Sequence, residues 1–272
     1  MQKKSLELCL YVLGGGAFGV FIRWLQLQIA FDEAGLVDKS ALNIMVVLYI
    51  LVAAWVYLRF VDKLRNGRWY APDDFTSALS NSGKLYSAAR WGFGGMMVLG
   101  ALVLFATCET EKEAVLLRVI SLLALLSGVS FPVILSAADS SLYRPRLICT
   151  LSVLPSLMFA LWLIACYKTN DINSVVWAYS IEIITVCVAM VAFFRTAGFA
   201  FSSPNWGRAL FFSMMGGCLC IMSLADARNM GLQIILIASA LMLTMYVWVI
   251  VKNMEQREAA PAEQPNDGFE RL

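Results

Sequence analysis

Eight blocks of about twenty mostly apolar residues recur along this chain, at roughly 6–31, 41–60, 86–108, 114–135, 147–167, 174–197, 208–225 and 231–251. At about 1.5 Å of rise per residue, a helix of that length crosses the ~30 Å hydrocarbon core of a bilayer. Lipid offers the backbone no hydrogen-bond partners, so only helices and closed barrels can span it. The blocks are too long for barrel strands and lack their apolar/polar alternation. The expectation is an all-α, polytopic integral membrane helix bundle of about eight transmembrane helices, forming a single domain over 1–251 with the lipid bilayer as its main partner. Composition agrees: 60% of residues are hydrophobic and 15% charged, against about 25% charged in soluble domains.

Orientation follows from the basic residues, which favour the cytoplasmic side. Of the 21 Lys and Arg, 15 fall on the side of the N-terminus under an eight-span assignment and 5 on the other, with Arg23 inside a span. Both termini are therefore expected in the cytoplasm, in a bacterial cytoplasmic membrane. The opening "MQKK" could begin a signal peptide, but the apolar stretch after it exceeds the usual h-region of about 7–15 residues, so the first span is expected to be retained. The polar, Pro-containing segment 252–272 is expected to be a disordered cytoplasmic tail. In the longest loop, Trp69 and Tyr70 suit the membrane interface. Pro72-Asp73-Asp74 then looks like a helix start with Phe75, Ala78 and Leu79 on one face, either a short interfacial helix or an ordered loop.

Several chemistries are excluded. The chain has no histidine, which removes His-based triads, HExxH zinc sites and His ligation of haem. Its net charge of +2 carries no basic patch interleaved with aromatics, so nucleic acid is not expected as a partner. Asp139 and Asp226 fall near opposite surfaces, which rules out a paired-aspartate intramembrane protease. No GxSxG elbow is present. No metal or cofactor is expected, and enzymatic activity stays open without a motif to support it. The seven cysteines contain no CxxC and read as small apolar fillers, with a Cys108–Cys166 disulfide left open.

Three spans carry stripes of small and polar residues. The first has Cys9, Val12, Gly16, Gly19, Arg23, Gln26 and Ala30; the sixth has Ala178, Glu182, Thr185, Ala189, Ala192 and Thr196; the seventh has Ala209, Ser213, Gly216, Cys220, Ser223 and Ala227. Small residues let membrane helices approach closely, so these faces are expected to point inward. Arg23 and Glu182 sit at similar depth in the outer half of the bundle, with Arg118 and Asp226 nearer the outer surface. A charge at a span centre costs about 2.5–3.5 kcal/mol on insertion scales, so such residues pair or face water. Arg23, Gln26, Arg118, Glu182 and Asp226 form the candidate polar site or structural ion pair, with Arg23 as counter-ion of Glu182. Three readings of Arg23 stand: snorkelling to the interface, a structural pair, or the lining of a binding or conduction site. At the cytoplasmic end of the fourth span, Asp139 beside Arg144 and Arg146 reads as a helix terminus with a basic turn, and less readily as a phosphate or lipid-headgroup site.

Two stretches, "GGGAFGVFIRWLQLQIAFDEAGL" and "YKTNDINSVVWAYSIEIITVCVAMVAFFRTAGFAF", resemble the first-helix and sixth-helix regions of a set of multi-pass membrane proteins found in anaerobic Firmicutes. The second includes Tyr179, Glu182 and the Ala-Gly-Phe-Ala-Phe turn at 197–201. That set has no characterised function, so the resemblance implies the membrane class and carries over no activity, ligand or catalytic residue.

Two functions fit. One is a small transport-type or transport-associated protein with a polar site between the first, fourth, sixth and seventh spans. The other is a structural or sensory subunit that assembles with another membrane protein or with itself, which the Gly15/Gly19 pair and the glycines at 92, 94, 95 and 100 would serve. The topology is testable with reporter fusions. Fusions at Lys39, Lys112, Lys168 and Arg228 should report the outside, and a fusion in the 65–82 loop the inside. An external signal from that loop would defeat the assignment.

Overall fold

The computed structural model describes residues 2–30, 40–110, 113–139, 144–169 and 176–256. It contains α1 (Gln2–Ile29), α2 (Ser40–Asn66), a short strand β1 (Trp69–Tyr70), α3 (Phe75–Leu79), α4 (Lys84–Thr107), α5 (Ala114–Asp139), α6 (Pro145–Thr169), α7 (Val176–Ala197), α8 (Trp206–Met222), α9 (Met230–Lys252) and β2 (Glu255–Gln256). The α-helices other than α3 are the eight helices, among the described residues, long and apolar enough to cross a membrane. The chain is an all-helical polytopic membrane bundle. The end of the bundle holding α3, β1 and β2 is termed the near end, and the opposite one the far end.

The bundle is built around α9. This helix is the most buried of the eight spans, with Ile235, Leu236, Ala238, Met242, Leu243 and Val247 fully buried, as expected of a predominantly apolar helix at the centre of a bundle. It touches α1, α4, α7 and α8. Most of the expected stripe of the first span faces inward: Val12, Gly16, Gly19, Arg23 and Gln26 of α1 and Ala30 just after it are buried, while Phe18, Phe21 and Ile29 are exposed. In α7, Thr185, Ala189, Ala192 and Thr196 are buried.

A close backbone crossing joins α4 to α5. A Cβ on Gly94 would lie 2.6 Å from the Gly128 carbonyl oxygen, and one on Gly128 would lie 2.8 Å from that of Gly94. Pro132, inside α5, has no N–H for the carbonyl four residues back. The Gly128 carbonyl it leaves free is the one pressed against α4. The helix continues through Pro132 and, in α6, through Pro155.

The near end is closed by a polar clasp. Asp139 accepts from the Asn81 backbone N–H at 2.7 Å and from Arg90 Nη1 at 2.6 Å. Lys252 Nζ donates to Asn81 Oδ1 at 2.7 Å, and Asn253 Nδ2 donates to the Ala78 and Ser80 carbonyls at 3.0 and 2.9 Å. The 61–85 loop therefore does contain a helix, but its apolar face of Phe75, Ala78 and Leu79 packs on α5 and α9, not on lipid. Asp74 caps α3, and bonds from the Thr76 hydroxyl and the Ser77 N–H hold its carboxyl below the usual range. Asp139 finds its cation on α4, not in the Arg144–Arg146 turn. The segment expected to be disordered from 252 is ordered through Gln256: Trp69 and Tyr70 pair with Gln256 and Glu255. Its remainder, 257–272, lies outside the described residues. All seven cysteines are free, so no Cys108–Cys166 bridge forms.

Overpacking a crossing of this kind costs about 1–3 kcal/mol. Gly94→Ala and Gly128→Ala should each lower the unfolding midpoint of the purified protein in detergent. Gly92→Ala and Gly95→Ala, where a Cβ meets nothing within 4 Å, should not. Equal behaviour of the two pairs would refute the close crossing.

Candidate functional site

At the far end the chain re-enters the bundle between α8 and α9. A single 3-10 turn (Ser223–Ala225) ends at Asp226, whose carboxylate points into the bundle with 12% of the side chain exposed. The loop is held there from two sides: Gln233 Nε2 donates to the Asp226 carbonyl at 3.4 Å, and Asp226 N–H donates to that of Ser223 at 3.3 Å. The Asn229 side chain caps α9 by accepting from Gly231 N–H at 2.9 Å.

Arg23 lies on the buried stripe of α1 with no exposed surface. Its Nε donates to Asp226 Oδ1 at 2.7 Å, and its Nη1 donates to Gln26 Oε1 at 2.6 Å. Gln26 Nε2 passes the series on to Asn43 Oδ1 of α2 at 2.6 Å. From the other carboxylate oxygen of Asp226 it continues to Arg228 Nη2 at 2.7 Å, then from Arg228 Nε to Glu182 Oε1 on α7 at 3.4 Å. Trp162 Nε1 of α6 donates to that same Glu182 oxygen at 3.0 Å. Arg228 is further tied to Ser223, 2.8 Å to its hydroxyl and 3.3 Å to its carbonyl. The result is a polar chain across five segments, in which two cations and two anions alternate.

The expected direct pair of Arg23 with Glu182 is thus replaced by a relay. Arg23 takes Asp226 and Glu182 takes Arg228, with the Asp226–Arg228 bridge between them. The reason is the re-entrant loop, which brings a nearer carboxylate to Arg23 and a nearer guanidinium to Glu182. Gln26 belongs to the chain as expected. Arg118 does not: it pairs with Glu109 at 2.9 Å on the surface, with 44% and 74% of the two side chains exposed. Its neighbour Leu117 takes the inward position on α5. Arg228, Trp162 and Asn43 lie outside the expected set of site residues, and in the sequence Arg228 reads only as an external charge.

The chain ends in a cavity of about 580 Å³ at the far end. Glu182, Arg228, Asn229 and Thr169 supply polar groups, and Leu117, Trp162, Ala165 and Leu232 supply apolar wall. Small-molecule sites typically enclose about 300–1,000 Å³ and set a few polar groups in a mostly apolar lining. Among the described residues no group of His, Cys, Asp and Glu could hold a metal. Comparison with protein-family models, curated proteins and solved structures finds no match.

Leaving one member of a buried ion pair without its partner costs about 3–5 kcal/mol. Arg23→Ala and Asp226→Ala should each destabilise the protein strongly, and the double variant should lose much less than the sum. The same cycle on Arg23 and Glu182 should show weaker coupling. Coupling stronger for Arg23–Glu182 than for Arg23–Asp226 would contradict the relay.

Proposed function

We propose that this is a small transport-type or transport-associated membrane protein whose far-end cavity receives a small polar solute. The observation that carries the reading is the position of Glu182, at the cavity wall and at the end of the charge relay. The Glu182–Arg228 contact of 3.4 Å is the longest in the relay, where the other two bridges are 2.7 Å. Glu182 also has the most exposed side chain of the four charged groups, at 18%. A solute with a polar or ionic group can compete for this last link while Arg23 and Asp226 keep each other neutralised. Deeper along α9, Leu236, Ser239 and Thr244 are buried, and the two hydroxyls bond to their own helix's carbonyls. The arrangement fits a binding state open toward the far side.

A second reading, a subunit that assembles with another membrane protein, draws on α4. Gly92 and Gly95 face outward with nothing near them, beside exposed Trp91 and Leu99, and small outward residues suit helix association. By contrast Gly15 and Gly19 serve internal packing, against Tyr49, Tyr57 and Met222.

A thermal-shift screen of small amines, carboxylates and zwitterions separates the two. Stabilisation of the wild type that is lost in Glu182→Gln and kept in Arg118→Gln is the expected result. A hit that binds Glu182→Gln as well as wild type, or a screen with no hit alongside a stable hetero-complex in mild detergent, would favour the second reading.

A further inference from the structure

A second polar cavity lies at the near end, remote from the charge relay. It has a volume of about 350 Å³ and lies between α6, the last turn of α7, the 198–203 turn and the residues leading into α8. Arg195 is its charged group. Among the described residues this guanidinium makes no ion pair or hydrogen bond, and its Nε is fully buried without a partner. A buried donor left unsatisfied costs free energy and calls for a partner. None of the lining residues carries a carboxylate, and the sequence holds no Asp or Glu anywhere from 183 to 225. The protein thus brings a cation here and keeps its own anions away.

The rest of the lining completes an anion site on the membrane-facing side. Ser203 and Asn205 also line the cavity and carry a hydroxyl and an amide. Asn205 uses its Oδ1 to cap α8, accepting from Arg208 N–H at 3.2 Å, which leaves its amide nitrogen to donate. The turn is tied together: Ser203 N–H donates to the Gly198 carbonyl at 3.0 Å, and Phe199 and Ala200 are buried. Phe194 and Phe201, which also line the cavity, are 58% and 53% exposed, so apolar surface flanks the polar opening. A guanidinium, hydroxyl and amide above exposed phenyl rings match a phosphate group with acyl chains running beside it. Anionic headgroups are bound in basic pockets between helices on the cytoplasmic side, the side the distribution of Lys and Arg assigns to the near end.

We infer that the cavity around Arg195, Ser203 and Asn205 binds a phosphate group, that of an anionic phospholipid in the cytoplasmic leaflet or of a free phosphate.

The test compares the wild type with Arg195→Gln in nanodiscs of phosphatidylcholine alone, in nanodiscs containing phosphatidylglycerol, and in phosphatidylcholine with millimolar inorganic phosphate. Lipid retention is read by native mass spectrometry and stability by the thermal midpoint. The wild type should retain phosphatidylglycerol over phosphatidylcholine and melt higher with it, and Arg195→Gln should weaken that retention about tenfold or more, as loss of a charge-assisted hydrogen bond implies. Arg118→Gln should leave it unchanged. Stabilisation by inorganic phosphate without phosphatidylglycerol, lost in Arg195→Gln, would identify a free phosphate as the occupant. A wild type indifferent to both probes would overturn the inference, as would an Arg195→Gln variant that binds them equally well. Equal destabilisation of the variant in every lipid, with retention intact, would reduce Arg195 to a cation at the C-terminus of α7. Should Arg195→Gln fail to fold, the three wild-type conditions decide alone.

Discussion

The far half of this bundle is organised by the need of one buried guanidinium for an anion. Arg23 sits on the α1 stripe among Gly16, Gly19 and Gln26 with no exposed surface, so it cannot reach a headgroup or water by extending outward. Its charge has to be met inside the bundle. Asp226 meets it at 2.7 Å, and to do so the segment between α8 and α9 has to turn back into the helices. Arg228 follows two residues later on that same re-entrant segment, where it is 7% exposed. It brings a second buried cation that has to be balanced in turn, by Asp226 and by Glu182. Solving one charge thus sets the path of a loop, and the loop sets the wall of the cavity.

The same reasoning separates stability from function within the relay. Arg23, Asp226, Gln26 and Asn43 are enclosed and bonded to one another, and their role is to hold α1, α2 and the loop in register. Glu182 and Arg228 share that network but also face open volume. A site gains preorganisation when its binding groups are held by neighbours that do not themselves touch the ligand. The near end uses another polar cluster differently. Around Asp139, Asn81 and Lys252 the side chains close on each other, and the clasp seals the bundle.

The sequence showed which faces of α1 and α7 turn inward because helical periodicity is local; the same periodicity groups Phe75, Ala78 and Leu79 on one face of α3 but does not say that this face packs on α5 and α9. It also showed that Arg23 faces the bundle. The partner of Arg23 was not legible, because Asp226 is placed by the path of the segment between α8 and α9 and not by its position along a helix. Asp226 and Arg228 lie in a loop, where nothing in residue spacing distinguishes a surface charge from one folded back inside. Arg118 illustrates the converse: one residue from an inward position on α5, it points out, and a choice between neighbours lies below what an uncertain helix boundary resolves. The β1–β2 pairing joins segments far apart in the chain, and two-residue strands leave no periodic trace.

The buried relay walls a cavity that opens to the far side. Cysteine accessibility tests it most directly, with a membrane-impermeant, water-soluble thiol reagent applied from the far side and the wild type as baseline for its native cysteines. Leu232 lines the cavity, and Leu236 lies one turn deeper with no exposed surface. Leu232→Cys should gain a label and Leu236→Cys should not. An unlabelled Leu232→Cys, with the exposed Met230→Cys labelled in parallel, would contradict an open cavity and leave the relay as a packing device alone.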